Sequence, residues 1–583
     1  MKNEISNGSN TIGVIFSRML NEWNISLAHG IKDAAFETGI NVIQYCNGSL
    51  MAMNPGPAQF NIISELVNTD KLNALIISSS AFSTKINNEG CERICQKFAS
   101  IPVVLINKQF GPYYSMMVDG YQAIVLAVKH LVEVHYYRNI ALMNDSYNIG
   151  HCQIVKAFRE TMNSFNLPVN EELIITNIPN KIQNTDLLDI LLKLRKSGVE
   201  AIIAAEGVAN KALYILLEAG VKVPDEIAVM GISNLISSRF TLPPLSTIEH
   251  SFFRIGRLAV KNAISLINGE SAKKITKLEP VLIRRGSCGC FNQTVHEITD
   301  NISINDLSFK EGEFLDNKDI IVSEIGKIVN NSQDDHEIIN ELLLVYNKEL
   351  ERPGEYIFLN FLQNFLKTKI NFYVRPNLLH KILSLLIKWS IPSLKNRKKY
   401  LKIQYTWQQA RLLINYFSMH KQAFAKFQIM TDYEKYFLFS SRILSSSNRE
   451  ELLNVMAKEL SANHFPFAYL VLYENPKPYK YPDPAPLYSH LVMAYTEKGR
   501  IKLDESGIRF LTEKILPDNI WREYFSASEN SNYCIIESLA LDRKQIRYII
   551  FGISGQPNEI TYWLKNVISN SLQRAIYYSQ FPP

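Results

Sequence analysis

The sequence lacks any stretch that a bilayer would hold. A membrane helix needs roughly 18 or more apolar residues in a row. The longest candidate, residues 378–391, is shorter and is broken by His380, Lys381 and Lys388. The opening MKNEISNGSN is polar and has no apolar core of the kind a secretory leader carries. A cytoplasmic location, with no membrane partner, is the expectation. The seven cysteines are odd in number and follow no framework spacing, so a disulfide scaffold is not expected. Cys46, Cys91, Cys95 and Cys152 lie in apolar or helical contexts and read as small core residues. Cys288 and Cys290 form C-x-C with no second pair near them in the sequence. Structural zinc takes four ligands, so neither a metal nor another cofactor is expected.

Catalytic signatures are missing as well. There is no Walker A and no G-x-G-x-x-G, hence no sign of a phosphate cradle. HEIT at His296 and HEII at His336 lack the fifth-position histidine of a zinc peptidase, and FGISG lacks the spacing of a nucleophile elbow. No catalytic residue stands out, and the chain does not read as an enzyme. A net charge of +6 over 583 residues is close to neutral and gives no bias toward nucleic acid or an anionic surface.

What is present is an ordinary globular composition, 46% hydrophobic and 20% charged, at a length that allows two to four domains. From residue 11 to about 248, short runs rich in Val, Ile and Ala alternate with amphipathic stretches. The runs are residues 12–16, 42–45, 74–78, 103–106, 140–144, 173–176, 201–204 and 228–231. Near-continuous apolar runs mark strands covered on both faces. The stretches between them read as helices, two of which close on Gly39 and Gly220. This is the pattern of parallel β-α-β units. Eight strands are many for one sheet, and the rhythm breaks at MMVDG (116–120). Two lobes with a crossover there are expected, and ligands of such sheets sit at the carboxyl ends of strands, here in the cleft between lobes.

Several segments carry a more specific resemblance. They are TIGVIF, GIKDAAFETGINVI, IPVVLIN, MMVDGYQAIVLAVKHLVEVHYYRNIALM, VKVPDEIAVMGISN and LPPLSTIEHSFFRIGRLAVKNAISLING. In this order and spacing they make residues 11–290 similar to the sensor domain of the lactose-repressor (LacI/GalR) family, a two-lobed periplasmic-binding-protein-like (type I) α/β fold with parallel sheets. The resemblance implies a ligand-sensing role, a homodimer and regulation of transcription. Ten residues precede Thr11, so the helix-turn-helix headpiece of the family is not expected here, and no motif supports DNA contact by this chain.

The pocket implied by the resemblance is altered. Cys152 stands where sugar-binding members often carry Arg, Glu206 and Gly207 where they carry Asn-Asp, and Ser233 and Asn234 where they carry Asp. Charge-assisted bonds to sugar hydroxyls would be lost with those groups. The candidate ligand-binding residues at strand ends are Ser17, Arg18, Asn21, Trp23, Ser79, Asn107, Lys108, Asn144, Asp145, Cys152, Glu206 and Ser233. Trp23 offers a face for stacking. Each of the Ser and Asn residues can equally be a turn or cap residue. Asp119 stands beside the crossover.

Residues 291–316 read as a polar linker. Residues 317–430 read as helices punctuated by Pro353, Pro376 and Pro392. Within them Ile403, Trp407, Ala410, Ile414, Phe417 and Phe424 follow a heptad seam, which suits either a dimerising coiled coil or packing on the preceding helices. Residues 431–583 run helix, strands, helix, with a turn at 542–544. That order resembles a GAF domain, an α+β sensory module. The whole reads as a ligand-responsive regulatory protein of LacI type. It would bind a small polar metabolite, a sugar being one candidate, and act on a protein partner. The alternative is a scaffold with a degenerate pocket. Segment 1–290 is expected to fold alone.

Overall fold

The computed structural model describes residues 10–17, 22–48, 50, 59–82, 86–145, 151–179, 182–290, 314–329, 333–368, 376–475, 479, 483–525, 533–541, 544–555 and 560–580. The chain divides into two compact units. One comprises Met1–Gly289 with Phe437–Pro583, the other Cys290–Tyr436.

The first unit opens with β1 (Thr11–Phe16), α1 (Glu22–Thr38), β2 (Asn41–Cys46), β3 (Ala74–Ser78), α2 (Asn88–Gln96), β4 (Val103–Ile106) and β5 (Tyr114–Val118). It continues with α3 (Gly120–Glu133), β6 (Ile140–Asp145), α4 (His151–Ser164), β7 (Ile174–Ile178), α5 (Asn184–Lys196), β8 (Ala201–Ala205), α6 (Glu206–Glu218), β9 (Ala228–Ser233) and β10 (Ser246–Glu249). Then follow α7 (Phe252–Ile267), β11 (Ile275–Leu278) and β12 (Val281–Ile283). Strands β1 and β2 are buried at every position, as the continuous apolar runs require. Gly39 and Gly220, in the left-handed region, follow α1 and α6.

The strands sort into two sheets, one per lobe. The second lobe has the order β12-β10-β9-β8-β6-β7. The first lobe contains β11-β5-β4-β3-β1-β2. The chain therefore passes between lobes three times: after β5, after β10 and between β11 and β12. The crossover read at residues 116–120 is the first of these. α7 returns to the first lobe and crosses α1 closely. A Cβ on Gly30 would run into the Phe253 carbonyl, and one on Gly256 into the Leu27 carbonyl, so backbone touches backbone there.

The helical unit holds α8 (Lys318–Val329), α9 (Gln333–Glu351), α10 (Ile357–Thr368), α11 (Pro376–Ser390) and most of α12 (Arg397–Ser445). Ile403, Trp407, Ala410 and Ile414 of the heptad seam fill this unit's own core with Leu343, Tyr346, Leu362 and Leu386. Trp407 Nε1 donates to the Tyr346 hydroxyl at 2.8 Å. Buried Glu349 accepts from the backbone of Gly354 and Phe358 at the start of α10. The linker expected at 291–316 lies almost wholly outside the described residues.

The last part of the first unit comprises α13 (Arg449–Ala462), β13 (Phe467–Tyr473), β14 (Tyr488–Thr496), β15 (Gly499–Ile501), β16 (Ile508–Leu511), α14 (Asp518–Phe525), β17 (Tyr533–Leu541), β18 (Lys544–Gly552) and α15 (Ile560–Gln580). Its strands are antiparallel, in the order β17-β18-β13-β14-β15 with β16 also on β14. The turn expected at 542–544 falls mostly outside the described residues. This module is not set apart from the two-lobed part. β17 pairs in parallel with β2, in the register Tyr533↔Val42 to Glu537↔Cys46, and the two sheets become one, of twelve strands among the described residues. An edge strand exposes unpaired backbone groups, and here each edge satisfies the other. One core runs through both. Ile43, Tyr45, Ile62, Ile63 and Leu66 lie in the same cluster as Tyr469, Val471, Ile536, Tyr548 and Ile550. The Tyr533 hydroxyl donates to buried Gln44 Oε1 at 2.5 Å, and Lys71 Nζ donates to the Lys514 carbonyl at 2.7 Å.

Candidate functional site

On the first lobe, the ends of β1 and β3 place a small polar net. Ser17 N–H donates to Ser80 Oγ at 3.3 Å, and Asn24 Nδ2 to Ser17 Oγ at 3.4 Å. Ser80 Oγ lies 3.3 Å from Asn24 Oδ1 and 3.1 Å from Ser78 Oγ. Ser79 is buried in the short turn that Ser78 caps. Half-buried Trp23 lies on α1 with its ring 5.7 Å from Phe252, whose ring is 6.1 Å from His250.

The second lobe builds a denser net. Glu206, at the start of α6, is buried and accepts from Thr247 Oγ1 at 2.5 Å and from Ser238 Oγ. Arg285 donates to Asn234 Oδ1 and to the Leu245 carbonyl, both at 2.6 Å. Asn234 Nδ2 donates to Glu249 Oε2 at 3.3 Å. Burial raises the Glu206 carboxyl above the ordinary carboxylate range, against the hydrogen bonds from Ser238 and Thr247. The same desolvation lowers Arg285. Ser233 and Asn234 both have positive φ, so the β9 end turns sharply where the family pattern has its acidic residue.

A hydrogen bond joins the two lobes here. The Ser237 N–H of the second lobe donates to Glu22 Oε2, at the start of α1, at 3.1 Å. The crossovers supply charge beside it. Asp119 caps α3 by accepting from Gln122 N–H at 3.0 Å and lies 3.9 Å from Lys277. His250, at the second crossover, is buried, and its Nε2 has no hydrogen-bond partner among the described residues.

The strand-end candidates thus divide. Ser17 and Ser79 join or adjoin the first-lobe net, and Trp23 the aromatic row. Glu206 belongs to the second-lobe net and Ser233 to the turn beside it. Asn107 has φ +53, and its side chain accepts from Val118 N–H at 3.0 Å, a turn role between β4 and β5. Lys108 follows it, half-buried, and Asn144 is buried at the end of β6. Arg18 and Asn21 lie outside the described residues, as do the side chains of Asp145 and Cys152. Sequence reasoning missed Glu22, Asn24, Glu249, His250 and Arg285. Asn24 sits inside a helix pattern and Arg285 beyond the last strand, where no local signal separates them from surface polarity.

Burial pushes the His250 imidazole down to about 4, against the raising influence of Asp119. The unfolded chain takes up this proton near pH 6.5, the folded chain only near 4. Stability is therefore unaffected above pH 6.5 and falls as the pH drops from there toward 4. The loss is on the order of 3 kcal/mol. Denaturant unfolding across that range checks this, and His250→Gln should flatten this component of the slope.

Residues 128–288 match the family model of the periplasmic binding protein-like domain. The chain is 21% identical over 284 residues to the HTH-type transcriptional repressor PurR of Mannheimia succiniciproducens, covering 48% of this chain and 82% of that protein. It is 24% identical over 294 residues to the HTH-type transcriptional regulator DegA of Bacillus subtilis, covering 49% and 82%. Among solved structures, the transcription regulator CcpA of Lactococcus lactis aligns at 17% identity and a TM-score of 0.41, covering 48% of this chain and 99% of that one. No helix among the described residues is long and apolar enough to cross a membrane.

Proposed function

We propose that this protein is a ligand-responsive regulator of LacI/GalR type. It binds a small polar metabolite, a sugar being one candidate, between its two lobes. It passes lobe closure to a protein partner in transcription control or signal transduction. The observation that carries the reading is the pair of polar strand-end nets on lobes joined by three crossovers. That arrangement lets a ligand bridge the nets and favour one lobe spacing over another. The likeness to transcriptional regulators over about half of this chain supports the regulatory role.

Connectivity supplies a route for the signal. The chain leaves the second lobe at residue 289 and re-enters at residue 437 in the module whose β17 is bonded to the first lobe. The helical unit is thus joined by its two chain ends to different lobes, and a change in lobe spacing moves one attachment relative to the other. The GAF-like module then serves as an extension of the first lobe. Self-association as a homodimer would need a face other than the heptad seam, whose first four positions are in the helical core. Tyr405, Leu412 and Met419, seven apart on α12 and exposed, offer one.

The test is thermal unfolding of the full chain against a panel of sugars, nucleosides and amino acids. A metabolite at about 100 times its Kd should add roughly 2.7 kcal/mol, seen as a rise of a few degrees. The scaffold reading is favoured by one observation, that the Glu206 carboxylate is already engaged by Ser238 and Thr247. A panel with no shift would move the weight to it.

A further inference from the structure

We propose that His130, His135, Cys288 and Cys290 form a tetrahedral Zn²⁺ site that pins the closing turn of the second lobe. One ligand atom from each lies within 4.8 Å of the other three. Zinc with bonds of about 2.3 Å to sulfur and about 2.0–2.1 Å to nitrogen holds its ligands roughly 3.3–3.8 Å apart. Cys288 Sγ is already 3.5 Å from His130 Nε2. Closing the set around an ion needs only side-chain adjustment.

The scaffold is built for these four groups. His130 lies in the last turn of α3, buried. His135 follows the helix end, where Tyr136 takes φ +60 and Tyr137 N–H donates back to the Leu131 carbonyl at 3.1 Å. The Tyr137 ring stacks on His135 at 5.6 Å, and the two histidine rings are 4.9 Å apart. Cys288 is fully buried at the end of the turn Gly286–Cys288. Gly289 has φ +100, and a Cβ there would sit 3.3 Å from His135 Nδ1. A glycine between the two cysteines therefore meets both a backbone and a space requirement. Cys290 follows two residues after Cys288 and is half-buried.

The donor chemistry selects the metal. Two thiols and two imidazoles suit borderline-soft zinc, and the absence of a carboxylate in the set disfavours magnesium and calcium. The histidine spacing, H-x4-H, is that of structural zinc sites; C-x-C is tighter than their usual cysteine spacing. The site is separate from the proposed ligand cleft. Asp119 and the lobe crossover are at the start of the 14-residue α3 and His130 is in its last turn, about 16 Å along the axis. A metal here would fasten residues 286–290 to the end of α3 whatever occupies the cleft.

The test uses the full chain, purified under reducing conditions without metal-affinity steps. Elemental analysis should find one zinc per chain. Cobalt added to the stripped protein should give the visible bands and thiolate charge transfer of tetrahedral coordination. Cys290→Ser and His135→Asn should each cut bound zinc at least tenfold while keeping the circular dichroism of the parent. The proposal is overturned if the reduced parent chain carries no zinc and develops no tetrahedral cobalt spectrum, or if the variants retain the metal.

Discussion

A chain ended at residue 290 will fail to form a soluble, cooperatively melting domain. Truncation there removes β17, leaving the backbone of Val42–Cys46 without its parallel partner. It also removes Tyr469, Val471, Ile536, Tyr548 and Ile550 from the core they share with Tyr45, Ile62, Ile63 and Leu66. Full burial of one such side chain is worth about 1.5–3 kcal/mol. Losing half the burial of those four costs on the order of 5 kcal/mol, comparable with the whole stability of many domains. The exposed edge of β2 would then invite aggregation. Gel filtration and thermal circular dichroism check this. A chain in which a flexible linker replaces residues 291–436 should fold, because it restores both the strand pairing and the core.

Removing one partner of the buried pair Lys565–Glu537 should destabilise the first unit by about 3–5 kcal/mol. Lys565 Nζ lies 2.6 Å from Glu537 Oε2, with both side chains almost wholly inaccessible. The ammonium also sits 4.5 Å from the ring centre of Phe60 and 4.4 Å from that of Tyr562. Glu537 is on β17, opposite Cys46 of β2, so the pair stands at the seam between the first lobe and the C-terminal module. Lys565→Ala leaves a buried carboxylate unpaired, and Glu537→Ala strands a buried ammonium. The double change Lys565→Met with Glu537→Leu replaces the pair by apolar groups of similar volume and should recover most of the loss. Urea unfolding of the three variants and the parent gives the comparison.

Much of the two-lobed fold is legible because parallel strands covered on both faces must be continuously apolar, and TIGVIF, ALIIS and AIIAA say so directly. The break at MMVDG is legible for the same reason. The β2–β17 pairing is not, because YCIIESLAL reads equally well as an arm of an independent antiparallel module. The one local hint is polar Gln44 inside NVIQYC. It is tolerated because the Tyr533 hydroxyl, 489 positions away, donates to it. The heptad on α12 has two readings in the sequence, since a seam facing its own bundle and one facing a second copy share a period. Cys288 and Cys290 stand unaccompanied in the sequence because His130 is 158 positions from Cys288. At the proposed ligand cleft, residue types at strand ends are readable. Whether a side chain there faces the cleft or, like Glu206 and Asn107, turns inward depends on tertiary partners.

Hydrogen exchange of the full native chain tests the central claim, that the first lobe and the C-terminal module share one sheet. The amides of β2 and β17 should be among the best protected and should be lost together in a single opening with β1, β3 and β18. If β17 and β18 exchange freely or through a separate, lower-energy opening while β1–β3 remain protected, the module is an independent domain. The coupling of the helical unit to lobe closure would then fall with it.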